Sequence, residues 1–254
     1  MNFLDNQVTA FLLAMARFSP LLLVPALTPF AWVPSAIRVI VLITLALIAM
    51  GTNAARLPHF GMDAPLPFML ALAGESLLGL SLGLAVVLPA AALEFSARVV
   101  DVQSGIAAAS LFNPSTHVTE SLAGTIVQWA GMMVLFASGI HLLLLRGIIA
   151  SIDVVPLGDG AFALSPDTFV AMLSSQFLLG LMVVAPVVLG LFAIDLAVAY
   201  ASRSMPQANV YFVSLPLKVM AGFVLLAASL RFAPQLVERL YRAAFAALPG
   251  MGAT

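Results

Sequence analysis

LAGTIVQWAGMMVLFASGIHLLLL, from Leu122 to Leu145, contains no Asp, Glu, Lys or Arg. As a helix rising 1.5 Å per residue, such a run crosses the ~30 Å hydrocarbon core of a bilayer. The rest of the chain agrees with it. Of 254 residues, 63% are hydrophobic and 8% charged, whereas about a quarter of a soluble domain is charged. That excludes an ordinary soluble enzyme and a disordered segment. Ten basic residues balance eleven acidic ones, so nucleic acid meets no cationic surface. With no cysteine there is no disulfide scaffold, thiolate metal site or cysteine nucleophile.

Outward from that run, five more apolar stretches predict an all-α membrane protein of about six long hydrophobic helices. Val8 to Leu27 is interrupted by Arg17, Pro20 and Pro25, and Ala36 to Met50 opens with Arg38. Leu66 to Leu93 holds Glu75, and Phe169 to Ile194 is free of charge. Val210 to Leu230 places Lys218 shortly after Pro216. The positive leading region of a signal peptide is missing, so the first segment is expected to stay in the mature protein. Arg231, Arg239 and Arg242 against Glu238 favour a cytoplasmic C-terminal tail. Arg38, Arg56, Arg98 and Arg203 fall on both sides of any six-span arrangement, so charge bias does not set the topology.

Pro58, Gly61, Pro65 and Pro67 break the chain before the third stretch, and Pro156-Leu157-Gly158-Asp159-Gly160 marks a tight loop. Val99 to Ser121 is rich in small residues and holds Phe112-Asn113-Pro114-Ser115, which suits neither a span nor a solvated linker. Proline in the middle of Asn113-Pro114-Ser115 removes it as a glycosylation acceptor.

Catalytic patterns are missing. His59, His117 and His141 form no His-x-x-x-His pair that would set two ligands on one helical face. The sequence has no phosphate-cradling G-x-x-x-x-G-K-[ST] and no G-x-S-x-G elbow. The expectation is a protein that is not an enzyme, with no cofactor and no metal.

Arg17, Glu75, Asp101, Asp195 and Lys218 lie in or beside apolar segments. A charge at the centre of a span costs roughly 2.5–3.5 kcal/mol on insertion scales, so it faces protein or a watery cavity. Interhelical pairing and a role in an ion or substrate path are both open to them. Arg17, just before Ser19-Pro20, reads as a side chain snorkelling to the interface, while Glu75 and Lys218 read as buried and paired. Gly79 and Gly83, with Gly74 before them, form a small-xxx-small face for close helix packing.

The ordered series of these features resembles the FliR family of flagellar biosynthetic proteins, called SctT in virulence secretion. It runs from Arg17-Phe18-Ser19-Pro20 and Pro25 through Val33-Pro34, Ile37-Arg38 and Glu75 with Gly79 and Gly83. It continues with Gln103-Ser104-Gly105, Phe112-Asn113-Pro114, Gly139, His141-Leu142-Leu143-Leu144, Asp153 and Pro156-Leu157-Gly158. One departure is Asn113-Pro114, where the family usually carries Asp-Pro. Gln207-x-Asn209 and Phe212 to Lys218 resemble the small FliQ-type subunit. The resemblance therefore implies a FliP-like region, 1–165, fused to a FliQ-like helical hairpin with a basic tail, 166–254.

It further implies an inner-membrane subunit of the type III export apparatus in the basal body, flagellar rather than virulence-associated. One copy would pack with FliP-type and FliQ-type subunits in a helical pore for unfolded proteins, with an FlhB-type switch protein at the cytoplasmic end. The segment matching Gly105 to Ser121 would be a luminal plug, carried by Gly105, Ile106, Ala107, Ala108, Ala109, Ser110, Leu111, Phe112, Asn113 and Pro114. Lys218 would pair with a residue of another subunit. The competing reading is a secondary transporter with its own solute site, since broken helices and intramembrane charges also suit that class.

Overall fold

The computed structural model describes residues 3–24, 33–52, 65–106, 121–159, 166–204 and 210–246. Every regular element among these residues is an α-helix. In chain order they are α1 (Phe3–Leu23), α2 (Ser35–Thr52), α3 (Pro65–Ser104), α4 (Leu122–Ala137), α5 (Ile140–Val154), α6 (Pro166–Ser204), α7 (Val210–Ser229) and α8 (Ala233–Ala246). Pro25, Arg56, Pro58, Gly61, Gln207, Asn209 and the Ala107 to Pro114 part of the expected plug lie outside the described residues.

Among the described residues three helices are long and apolar enough to cross a membrane: α3, α6 over Phe169–Ser204, and α7 over Phe212–Ser229. The pair α4 and α5 would be a fourth, broken span. The expectation of six long helices is thus met by three or four candidates, with shorter apolar helices at Gln7–Leu23 and Ser35–Gly51. The charge-free run Leu122 to Leu145 is not one helix. Gly139 takes φ +73°, a left-handed conformation that ends one helix and starts the next.

α3 is longer than expected, 40 residues, or about 60 Å at 1.5 Å per residue. The residues after Leu93 do not end it, because Glu94 and Arg98 pair along the helix at 2.7 Å. Gly105, with φ +84°, does. Residues 99–104, expected to begin an irregular segment, are therefore its last turns. α6 begins with proline at its first position and Asp167 in its first turn, both favourable at a helix start. The expected basic tail is instead a helix, α8. Its Ala233, Val237, Leu240, Tyr241 and Phe245 are buried while Arg239 and Arg242 are exposed. Burial pushes the Tyr241 phenol up to about 12, so it stays neutral.

The chain divides into two compact units. One comprises Met1–Leu88, Gly139–Leu173 and Tyr241–Thr254. Within it α1 packs on α2, and α2 also touches α5, around Leu13, Phe18, Leu42, Leu78, Leu82 and Ile152. Pro20 cannot donate to the carbonyl of Ala16, four residues back. The Ser19 hydroxyl donates to that carbonyl instead, at 3.3 Å, and α1 continues through the proline.

The other unit comprises Pro89–Ser138 and Ser174–Leu240. Its core holds Leu93, Val100, Val127, Val184, Val187, Leu191 and Leu226. α3 and α6 approach so closely at Gly180 that an added Cβ would sit 2.8 Å from the Ala92 carbonyl oxygen. Phe95 and Phe177 meet edge-on beside that contact, ring centroids 5.2 Å apart.

Candidate functional site

The charged residues of the apolar helices fall into three separate arrangements. In the first unit, Arg17 on α1 and Glu75 on α3 are both fully buried. The guanidinium grips the carboxylate as a fork, Nε–H donating to Oε2 at 2.5 Å and Nη2–H to Oε1 at 2.9 Å. Nη1 donates to the carbonyls of Ser151 and Val155, at 3.1 and 2.8 Å. These lie at the C-terminal end of α5, where the helix dipole favours a cation; the Ser151 carbonyl also accepts the Val155 N–H at 2.9 Å, so the guanidinium is its second donor. Glu75 Oε1 also accepts the backbone N–H of Gly158 at 2.8 Å. Gly158 has φ +89° in the Pro156–Asp159 turn, the glycine that the tight loop requires.

Arg17 therefore does not snorkel. Its partner is 58 positions away, and its other acceptors belong to a helix end that no local pattern around Ser19-Pro20 could disclose. The cluster ties α1, α3 and the end of α5 together and leaves no unmatched charge to bind an ion. Immediately beside it Gly79 faces α1, where an added Cβ would overlap the carbonyl oxygen of Arg17 itself. Gly83 is buried on the same helix.

In the second unit, Asp101 lies 5% exposed near the end of α3. Its carboxylate accepts from the hydroxyl of Ser121 and from the backbone N–H of Ala123 at 3.0 Å. Ser121 caps α4 in turn, its Oγ accepting from Gly124 N–H at 2.7 Å. An anion at a helix N-terminus is favourable in its own right. Here it also fixes residue 101 to residues 121–123, so the two ends of the 105–120 segment are held at one point. Gly105, at one edge of that point, packs against Leu215 of α7, where a Cβ would fall 2.8 Å from Cδ2.

Lys218 on α7 pairs with Asp195 on α6, Nζ to Oδ1 at 2.6 Å. Within the chain its partner is Asp195, where the resemblance implied a residue of another subunit. The lysine side chain is 13% exposed and the aspartate 41%, so the carboxylate retains an open side.

Sequence reasoning singled out these five charges but missed their partners: the Ser121 hydroxyl, the Gly158 N–H and the α5 carbonyls. It also missed Gln176, fully buried on α6 with neither amide atom hydrogen-bonded among the described residues. A glutamine within an apolar stretch, between Ser175 and Phe177, was the available signal. Replacing Gln176 by Met keeps the volume and removes two unmatched polar atoms. We expect the melting temperature in detergent to rise, by an amount equivalent to about 1 kcal/mol; an unchanged or lower value would show that the amide is matched in solution.

Among the described residues no group of three metal-ligating side chains converges. A small cavity in the second unit is lined by Val127, Val183, Val184, Leu226 and Val237 with Ser229, whose hydroxyl is already engaged by the Leu226 carbonyl.

The family model described as bacterial export proteins, family 1, matches residues 8–244. The chain belongs to that family. It is similar to the flagellar biosynthetic protein FliR of Bacillus subtilis strain 168, 31% identical over 234 residues, covering 89% of this chain and 88% of the relative. It is similar also to the Yop proteins translocation protein T of Yersinia pestis, 30% identical over 175 residues, 68% of this chain and 67% of that one. A third relative, the flagellar biosynthetic protein FliR of Caulobacter vibrioides, is 30% identical over 162 residues, 61% and 62% of the two chains. The resemblance read from the sequence thus holds along nearly the whole chain. All three charge arrangements of this export-family member fall inside the matched region. Together with the apolar helices, membership makes the chain a membrane component of a bacterial export apparatus.

Proposed function

We propose that this chain is a single-copy structural subunit of the type III export gate of a flagellar basal body, in the inner membrane. It packs with FliP-type and FliQ-type subunits around a pore for unfolded proteins, with an FlhB-type protein at the cytoplasmic end. The observation that carries the reading is the likeness to FliR over 89% of the chain. Co-expression with neighbouring FliP-type and FliQ-type subunits followed by native mass spectrometry tests it. A discrete complex holding one copy of this chain is expected, and a stable lone monomer or homodimer would overturn it.

In this reading the Gly105 to Ser121 segment plugs the pore. Its small residues and Pro114 suit a compact loop, and irregular backbone at membrane depth has to be buried in protein or line a cavity. The link from Asp101 to Ser121 and Ala123 supports it by giving the loop a fixed base. Deleting Ala107 to Leu111 should leave assembly intact and make the membrane leaky to small ions. Normal permeability with normal assembly would count against plugging and favour a static connector.

The transporter reading loses its motive. Arg17, Glu75, Asp101, Asp195 and Lys218 all have partners within the chain, so none of them is left as an unmatched charge for a solute.

A further inference from the structure

The connection from α7 to α8 is short and hydrogen-bonded. Leu230 N–H donates to the Leu226 carbonyl at 3.0 Å and Phe232 N–H to that of Ser229 at 2.9 Å. Because α7 is a candidate span ending at Ser229, the chain itself holds Arg231, Phe232 and the first turns of α8 near the level where that span ends. Amphipathic helices at this level often lay their apolar side into lipid. α8 does not, because Ala233, Val237 and Leu240 are buried within the protein.

The other side of α8 is left outward. Arg231, Gln235 and Arg239, four residues apart in sequence, are all exposed, and Phe232 is 65% exposed beside Arg231. Among the described residues neither Arg231 nor Arg239 has an ion pair or hydrogen bond. Glu94 with Arg98 and Asp195 with Lys218 are paired within the chain, whereas these two guanidinium groups are unneutralised beside a span end. Guanidinium presents a planar fork of donors that fits phosphate oxygens, and an exposed aromatic ring suits the boundary between headgroups and acyl chains.

We propose that Arg231 and Arg239 form a binding surface for the phosphates of anionic phospholipid headgroups, with Phe232 set into the adjoining acyl boundary. The surface positions α8 along the membrane without inserting it. Charge complementarity selects this occupant: the surface is cationic, next to a span end, and carries an exposed aromatic ring rather than an extended apolar stripe for a partner helix.

The test uses the full chain in nanodiscs of equal phosphatidylglycerol and phosphatidylcholine, with the lipids retained on release counted by native mass spectrometry. The wild type is expected to retain phosphatidylglycerol preferentially. Arg231→Gln with Arg239→Gln should lower that preference roughly fivefold for each arginine, the attraction of one basic side chain to an anionic surface. Lysine at both positions should keep most of it, and Arg146→Gln, at another exposed arginine, should leave it unchanged. Both residues are exposed, so an unaltered melting temperature checks that the fold is intact. Equal lipid retention by wild type and the double glutamine variant would overturn the proposal. So would an equal loss in Arg146→Gln, or an acidic protein that co-purifies with the wild type and is lost in the variant while lipid preference stays the same.

Discussion

Arg17→Met alone is expected to lower stability by about 3–5 kcal/mol, the usual cost of leaving a buried charge without its partner. Glu75 would then be buried with only the Gly158 N–H against it, the Val155 carbonyl would lose its Arg17 donor, and the Ser151 carbonyl would keep only the Val155 N–H. Glu75→Leu should cost as much for the mirror reason. The double variant Arg17→Met/Glu75→Leu is expected to recover a large part of the loss, because apolar pairs of similar volume often replace buried ion pairs without penalty. Recovery is incomplete because the Val155 carbonyl and the Gly158 N–H lose their Arg17 and Glu75 partners, at about 1–3 kcal/mol for each buried polar group left so. Arg17→Lys should fall between, since an ammonium cannot reproduce the fork. Melting of the purified protein and its steady-state amount in membranes both report this. An unchanged melting temperature in Arg17→Met would show that the cluster does not hold the helices together.

Gly79→Ala is the second large effect. The new methyl would collide with the Arg17 carbonyl oxygen, lie 2.9 Å from its carbon and 3.0 Å from Pro20 Cδ. Two of these atoms are backbone, so no rotamer relieves the clash and α1 has to move away from α3. Overpacking costs about 1–3 kcal/mol in ordinary cores, and this site belongs at the top of that range or above it. Because the obstructed residue is Arg17, the same movement draws the guanidinium off Glu75. Gly79→Ala and Arg17→Met should therefore couple, with a double-variant loss smaller than the sum by about 0.5–3 kcal/mol. Gly51→Ala is the control. A Cβ there meets nothing within 4 Å, so that change should be neutral or raise stability by up to about 1 kcal/mol through helix propensity. Strictly additive losses would separate the two features.

Composition made the helical membrane class legible, and the starts of α2 and α7 lie within a residue of the expected ones. Hydropathy says where a segment is apolar. It does not say where backbone turns, so the break at Gly139 was hidden within 24 charge-free residues. It also placed the end of the third stretch at Leu93, although the Glu94 and Arg98 that follow neutralise each other along the helix and let α3 continue. Which residues carry buried charge was legible because lone charges in apolar runs are conspicuous. How they are matched was not, because the acceptors of Arg17 come from residues 58 to 138 positions away and half of them are main-chain atoms. The pairing of Lys218 with Asp195 follows from the antiparallel return of α7 on α6, which spacing alone does not fix.

The buried fork also bears on how the chain is made. Arg17 leaves the ribosome before Glu75 exists, and at roughly 5–20 residues per second the carboxylate follows about 3–12 s later. The carbonyls of Ser151 and Val155 arrive later still. During that interval an isolated arginine in α1 opposes entry into hydrocarbon by roughly 2.5–3.5 kcal/mol on insertion scales. α1 is therefore expected to linger at the membrane surface or beside the insertion machinery until α3 emerges. Its entry is then joint with that of α3 rather than sequential, and the export subunit's first helix is the last of the pair to settle.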